Sequence, residues 1–74
     1  MSARKQYWVR HESGRWVVKV DGRVLSTHIT KTDATAAGVK VASANKPSSL
    51  RICRMDGTIE DERTYGDDPF PPRG

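Results

Sequence analysis

Two short segments near the start of the chain alternate between apolar and polar positions with the period of a β-strand. Residues 6–11 and 15–20 are rich in aromatic and β-branched side chains, and Ser13 and Gly14 between them are typical of a two-residue turn. Such a turn places apolar side chains of both strands on one face and charged side chains on the other. The core face then carries Tyr7, Val9, Trp16, Val18 and Val20, and the outer face carries Trp8, Arg10, Arg15, Val17 and Lys19.

The pattern predicts one helix, over about residues 31–45. Thr30 and Asp33 have the spacing of a capping box, and Pro47 lacks the amide hydrogen that a continuing helix needs. Small side chains recur on one face of this segment. They are Ala34, Ala37, Gly38, Val41 and Ala42. Because they are small, we expect the helix axis to lie close to a sheet, with tight packing at the glycine.

A second hairpin is predicted in the last third of the chain. Asp56 and Gly57 are a strong two-residue turn signal between strands over residues 49–55 and 58–64. With this turn, the core face carries Leu50, Ile52 and Ile59, and the outer face pairs Arg51 with Glu62. The opposite charges of that last pair favour this register.

A third strand completes the predicted fold. Asp21 and Gly22 form a turn signal that leads into a strand over residues 23–29. The order β-β-β-α-β-β predicts a two-layer α+β domain, in which an antiparallel sheet has one helix packed on one face. We expect a flexible basic arm over residues 1–5 and a single domain over residues 6–65.

The last residues, 66–74, are rich in proline and have no periodicity. Tyr65 and Phe70 are aromatic, and aromatic side chains among prolines lose little chain entropy when they become ordered. We therefore expect this tail to pack back on the domain. Deletion of residues 66–74 is expected to lower the melting temperature by several degrees, on the scale usual for small domains.

Length and composition favour one small cytoplasmic domain. A chain of 74 residues has room for one core, and 35% hydrophobic residues are enough to fold it. Its one cysteine cannot form an internal disulfide. The sequence contains neither an apolar run near the roughly 20 residues that span a bilayer nor the apolar region of a signal peptide. We therefore expect no contact with a membrane.

The net charge of +4 is distributed unevenly along the chain. Residues 1–31 carry seven basic side chains against two acidic ones, whereas residues 48–74 carry four basic against six acidic ones. Such asymmetry is typical either of ordinary solubility charge or of a surface that binds polyanions.

Five short motifs resemble one family of small bacterial and phage proteins, which is catalogued as domain of unknown function 2188. The motifs lie at residues 7–9, 14–19, 30–34, 56–59 and 65–72. The last of them, YGDDPFPP, is the most specific, and the resemblance extends over roughly residues 6–72. Cys53 lies near a position where the family often has histidine, and Asp67 where it often has asparagine. The resemblance implies the fold and a bacterial or phage context, and it implies no catalytic residue.

The sequence offers little support for catalysis or metal binding. His11 and His28 are the only histidines and Cys53 is the only thiol, and their spacing matches no zinc motif. Cys53 also lacks a group that would activate it as a nucleophile. Residues 60–62 are all acidic, but on a strand their side chains alternate between faces, as at a solvated edge. We therefore expect no enzymatic activity, no cofactor and no metal.

One set of residues is typical of a nucleic-acid interface. Basic side chains surround an indole on the outer face of the first hairpin and continue into its flanking segments. The candidate residues are Arg4, Lys5, Trp8, Arg10, Arg15, Lys19 and Arg23. Basic groups neutralise phosphates, and an indole can stack on a base or sugar. We therefore predict a small non-enzymatic protein that binds DNA or RNA through this face.

A protein-interaction or regulatory adaptor module of a phage or bacterium is the alternative. In that case Trp8 and Val17 form an apolar hot spot, or a sheet edge accepts a strand from a protein partner or from a second copy of the chain. Salt separates the two hypotheses, because binding to phosphates weakens steeply with ionic strength and apolar binding does not.

Overall fold

Five strands form a single sheet, and one helix packs on one of its faces. The computed structural model describes residues 4–66. Its elements are β1 (Lys5–Glu12), β2 (Arg15–Val20), β3 (Arg23–His28), α1 (Lys31–Ala44), β4 (Ser48–Cys53) and β5 (Ile59–Tyr65). The α+β class and the order of the elements agree with the sequence prediction.

The sheet is mixed, and in this respect the prediction of an antiparallel sheet is wrong. The strand order is β3-β2-β1-β4-β5, and the central pair, β1 and β4, is parallel. The physical reason lies in the β3-α1-β4 crossover. A helix that returns the chain across the sheet brings the next strand in with the direction of the strand before the helix. Since β3 runs parallel to β1, β4 enters beside β1 in the same direction.

The first hairpin has the predicted register. Val9 lies opposite Val18, and His11 lies opposite Trp16. Ser13 has a φ of 53° and Gly14 of 78°, the left-handed conformation that a two-residue turn between twisted strands requires. Trp16 is only 8% exposed, which confirms its predicted place in the core.

The core lies between α1 and the sheet, and small residues on α1 allow close packing. Thr30 caps the helix, because its Oγ1 accepts a hydrogen bond from the Asp33 amide at 3.1 Å. A Cβ added to Gly38 would lie 3.1 Å from both Leu50 Cδ1 and Val9 Cγ2. The glycine therefore marks the closest approach of helix and sheet, as predicted.

The β4–β5 connection differs from the predicted two-residue turn. The Gly57 amide donates to the Arg54 carbonyl at 2.9 Å, and the Arg54 amide donates to the Thr58 carbonyl at 2.7 Å. The loop therefore has three residues and ends in a glycine with a φ of 93°. Next to the loop the pairing register shifts between Ile52 and Cys53, as at a β-bulge. As a result, Ile59 pairs with Cys53 and is 46% exposed instead of lying in the core.

Tyr65 packs against the core, which agrees with the first part of the tail prediction. Phe70 lies outside the described residues, so its packing and the effect of deleting residues 66–74 remain predictions.

Candidate nucleic-acid interface

The outer face of the sheet is the side opposite α1, and no element within residues 4–66 covers it. Because directly paired residues share a face, the registers extend the outer face from the first hairpin across β4 and β5. Its members include Gln6, Trp8, Arg10, Glu12, Arg15, Val17, Lys19, Ser49, Arg51, Glu62 and Thr64, together with Val24 and Thr27 of β3. The prediction that Trp8, Arg10, Arg15 and Lys19 share one face agrees with these registers.

Trp8 lies in the middle of this face, on the central strand. It pairs with Lys19 on β2 and with Arg51 on β4. The guanidinium carbon of Arg10 lies 5.6 Å from the centre of the indole, and that of Arg51 lies 5.1 Å from it. Both distances are in the range of cation–π interaction. A half-buried indole is therefore flanked by two guanidinium groups.

Arg51 is a site residue that the sequence analysis missed. Its place beside Trp8 depends on the parallel pairing of β1 with β4, which an antiparallel sheet does not include. The side chain is held from three directions, because it also donates to Gln6 Oε1 and lies 3.3 Å from a carboxylate oxygen of Glu62. Gln6 accepts a second hydrogen bond from the Ser49 hydroxyl at 3.2 Å. These contacts orient the Arg51 guanidinium before any ligand binds.

Two carboxylates balance part of the positive charge of the outer face. Glu12 Oε2 lies 3.0 Å from Lys19 Nζ and 3.8 Å from Arg10 Nε. Glu62 is paired with Arg51 in the same way. With Arg15 included, the outer face carries four cations against these two carboxylates, so its net charge is positive. The sequence predicts Glu62 as the cross-strand partner of Arg51, whereas Glu12 has no predicted role.

The three other candidate residues lie around this surface or away from it. Arg4 donates from its guanidinium to the Ser48 carbonyl at 2.9 Å. The register places Arg23 opposite Val20, and the alternation of β1 gives Lys5 the same face as Tyr7. Tyr7 and Val20 are core residues, so Lys5 and Arg23 lie on the helix side of the sheet. The structure therefore brings four of the seven candidates together and adds Arg51.

Val17 and Cys53 are buried but do not belong to the helix-side core cluster. Val17 is 6% exposed, so it offers no apolar surface beside Trp8, and this corrects the expectation of a Trp8/Val17 patch. Cys53 is fully buried. Burial raises the pKa of its thiol, and the positive charges of Arg10 and Lys31 oppose this rise only in part. A neutral, inaccessible thiol is a poor nucleophile.

The histidines of the described chain have structural neighbours. The His11 ring packs edge-on against Trp16 at 4.9 Å, and His28 Nε2 lies 2.9 Å from the Ser26 hydroxyl. Within residues 4–66 no three His, Cys, Asp or Glu side chains lie close enough to hold a metal ion. The same residues enclose no ligand-sized pocket. No helix in this part of the chain is long and apolar enough to cross a membrane.

Comparison with known proteins identifies the family of the chain and gives no information on the site. Neither the curated proteins nor the solved structures give a match. A family model matches residues 6–65, which is most of the chain and all five strands and the helix except for the first residue of β1. The resemblance inferred from the sequence motifs is thereby confirmed. The chain belongs to the family described as uncharacterized protein conserved in bacteria (DUF2188).

Proposed function

We propose that this protein is a non-enzymatic binding protein whose ligand is DNA or RNA and whose binding surface is the outer face. One observation carries the proposal: an indole flanked by two guanidinium groups lies at the centre of an open, net-positive sheet face. Guanidinium and ammonium groups neutralise phosphates, and an indole offers a π-surface to a base or sugar. A nucleic-acid ligand also favours a cytoplasmic location.

Each side chain has a distinct role in this proposal. Arg10, Arg15 and Lys19 contact phosphates, Trp8 stacks against a base or sugar, and Arg51 adds an oriented guanidinium. Arg4 lies beside this face, where its guanidinium donates to the Ser48 carbonyl, and can extend the footprint. Lys5 and Arg23 lie on the helix side of the sheet and take no part in it. Sequence preference is weak, because so small a face supplies two or three base contacts at most.

Binding exchanges carboxylate partners for phosphates. Glu12 holds Arg10 and Lys19 in the free protein, and Glu62 holds Arg51. Such exposed pairs contribute only about 0–1 kcal/mol each, so a phosphate can replace the carboxylate at low cost. The exchange makes affinity strongly dependent on salt, since phosphate binding releases counterions.

The test is a titration of labelled oligonucleotides at two salt concentrations, with NMR shift mapping of the bound state. We expect the logarithm of the affinity to fall with the logarithm of salt concentration. The slope should become shallower by roughly one unit for each phosphate contact removed, as in Arg10→Gln or Lys19→Gln. Lys40→Gln is the matched control, because Lys40 is an exposed residue of α1 on the other side of the sheet.

Three outcomes contradict the proposal. One is the absence of binding at low salt. Another is a set of shifted residues confined to the acidic segment 60–68, with none on β1 or β2. An equal loss of affinity in Lys40→Gln and Arg10→Gln also counts against it, because net charge alone then explains the binding.

A protein-interaction module is the second candidate function, and the β3 edge of the sheet favours it. On and beside this edge strand, Val24 is 51% exposed, Leu25 is 43% exposed and Ile29 is 71% exposed. The opposite edge, β5, is rich in charged side chains, which discourage the addition of a strand. A partner strand that pairs with β3 would bind with little dependence on salt and would shift resonances of residues 23–29.

A further inference from the structure

We infer that the nucleic acid bound at the outer face is a single strand, which lies across the sheet with an unstacked base against Trp8. The inference rests on the proposed function and adds the class of ligand. It follows from the position of Trp8 in the sheet, from the width of the sheet, from the placement of α1 and from the arrangement of the cations.

The indole of Trp8 lies near the middle of a wide sheet. β1 has two strands on either side of it, so Trp8 lies about 10 Å from each edge of the sheet at the usual strand spacing. A protein that reads a duplex through its major groove inserts a helix or a two-stranded ribbon into a groove about 12 Å wide. A five-stranded sheet about 20 Å across is too wide to enter that groove face-on.

The helix is poorly placed to read a groove. α1 packs against the sheet on the side away from Trp8. Its first residue, Lys31, contacts the Glu60 carboxylate and lies 5.7 Å from the centre of the Trp16 ring. The charged side chains further along α1 are Asp33 and Lys40. This helix therefore offers little positive charge to a phosphate backbone.

The indole of Trp8 can contact only those parts of a nucleic acid that the ligand exposes. In a duplex both faces of each base are covered by the neighbouring base pairs, so a side chain outside the helix contacts only edges, sugars and phosphates. A single strand can unstack a base and present its π-face, and aromatic side chains on sheets bind such bases. The role of Trp8 as a stacking platform therefore requires an unpaired base, which takes the place of a guanidinium group over the ring.

The cations are arranged around the indole in a way that fits one strand. Lys19 and Arg51 flank Trp8 on the neighbouring strands, so the row spans about 10 Å across the sheet. Arg10 lies two residues further along β1, about 7 Å away, and Arg15 lies about 13 Å along. This compact cluster can hold two or three phosphates in all, distributed on the two sides of a stacked base. Two phosphate rows separated by a groove would leave Trp8 facing the gap.

The experiment compares a fluorescently labelled twelve-nucleotide thymidine strand with a labelled hairpin duplex of twelve mixed base pairs, which stays paired at the one low salt concentration used. We expect the single strand to bind at least tenfold more tightly. Trp8→Ala should weaken binding of the single strand by at least about fivefold, the lower end of the effect of losing one base–aromatic stack. It should leave duplex affinity within twofold. Trp8→Tyr, which keeps an aromatic ring, should retain most of the affinity.

The outcomes separate this inference from the proposed function. If the duplex binds as tightly as the single strand, or if Trp8→Ala weakens both equally, the single-strand inference is wrong while nucleic-acid binding stands. If neither ligand binds, both are wrong. A thermal melt of each variant shows that it is folded, and Trp8→Tyr provides the readout should Trp8→Ala fail to fold.

Discussion

At the scale of single residues, Glu12 holds two of the cations that the proposed ligand needs. Its carboxylate lies between Lys19 and Arg10, and its side chain is 38% exposed. The ion pairs therefore contribute little to stability, whereas their charge competes directly with a phosphate. Because the Glu12 carboxylate lies on the outer face, a count of basic residues alone overestimates the positive potential of this surface.

Replacing this carboxylate should strengthen binding. In Glu12→Gln, Lys19 and Arg10 lose their charged partner and keep their positions, so affinity for a single strand should rise about threefold or more at low salt. The salt dependence should become steeper because the face is more positive. Glu60→Gln is the matched control, since it makes the same change in net charge beside Lys31, on the helix side. Equal gains in both variants would contradict a local role for Glu12.

Ionisation of the Cys53 thiol should lower the free energy of unfolding at alkaline pH. Burial raises the pKa of its thiol above the ordinary value of 9.0, so folding favours the neutral form. This contribution is fully present below the pKa of the unfolded thiol and is lost as the pH rises through the higher pKa of the folded state. The free energy of unfolding should therefore fall from pH 7 to about pH 10 more steeply in the wild type than in Cys53→Ala. Urea denaturation at both pH values measures the difference, and parallel decreases would exclude the thiol as the cause.

At the scale of elements, the clearest test of packing is at Gly38. Alanine in place of a mid-helix glycine normally stabilises a helix by about 1 kcal/mol. Here the added methyl group would press on Leu50 and Val9, which are both fully buried and belong to different strands. Overpacking in a core costs about 1–3 kcal/mol, so we expect Gly38→Ala to lower the melting temperature by several degrees.

A comparison position separates helix propensity from packing. Ala36 is exposed on the same helix, so Ala36→Gly should cost about 1 kcal/mol through propensity alone. If Gly38→Ala instead raised the melting temperature by as much as Ala36→Gly lowers it, the close approach of α1 to the sheet would be wrong. Thermal unfolding followed by circular dichroism measures both variants.

The elements themselves were largely predictable from the sequence, because their signals are local. The Ser13–Gly14 turn fixed the register of the first hairpin, and Thr30 fixed the start of the helix. The neighbour of β1 across the sheet was not predictable from alternation, which assigns a side chain to a face and says nothing of the adjacent strand. Arg51 was therefore missed. A strand–helix–strand crossover is the signal that could have indicated the parallel pair.

Ile59 shows a second limit of local signals. Asp56 and Gly57 suit a two-residue turn, but they also suit a three-residue loop that ends in a left-handed glycine. The choice between them moves the first residue of β5 by one position and so transfers its side chain to the other face. The opposite charges of Arg51 and Glu62 fix the middle of the hairpin in either case, and the bulge absorbs the difference.

At the scale of the whole molecule, the two tryptophans divide stability and binding between the two faces of the sheet. Trp16 lies on the core face, where it contacts the His11 ring and lies under Lys31 at the start of α1. It therefore joins β1, β2 and the helix. Trp8 lies on the opposite face among cations and outside the core cluster. The protein has one core, and only Trp16 belongs to it. Substitution of Trp16 should therefore reduce stability, whereas substitution of Trp8 should reduce binding.

Trp16→Ala should unfold most of the protein. Truncation of a buried tryptophan costs about 3–5 kcal/mol, and a domain of this length is stable by only about 4–11 kcal/mol. Trp16→Phe should lower the melting temperature and keep a cooperative transition, because the ring still fills part of the space. Trp8→Ala should keep a cooperative transition and lose affinity for the single strand. Thermal melts and binding titrations of the three variants measure both properties. A Trp16→Ala protein that melts like the wild type would show that the core is not organised around this residue, and a Trp8→Ala protein that unfolds would show that the outer face contributes to stability as well as to binding.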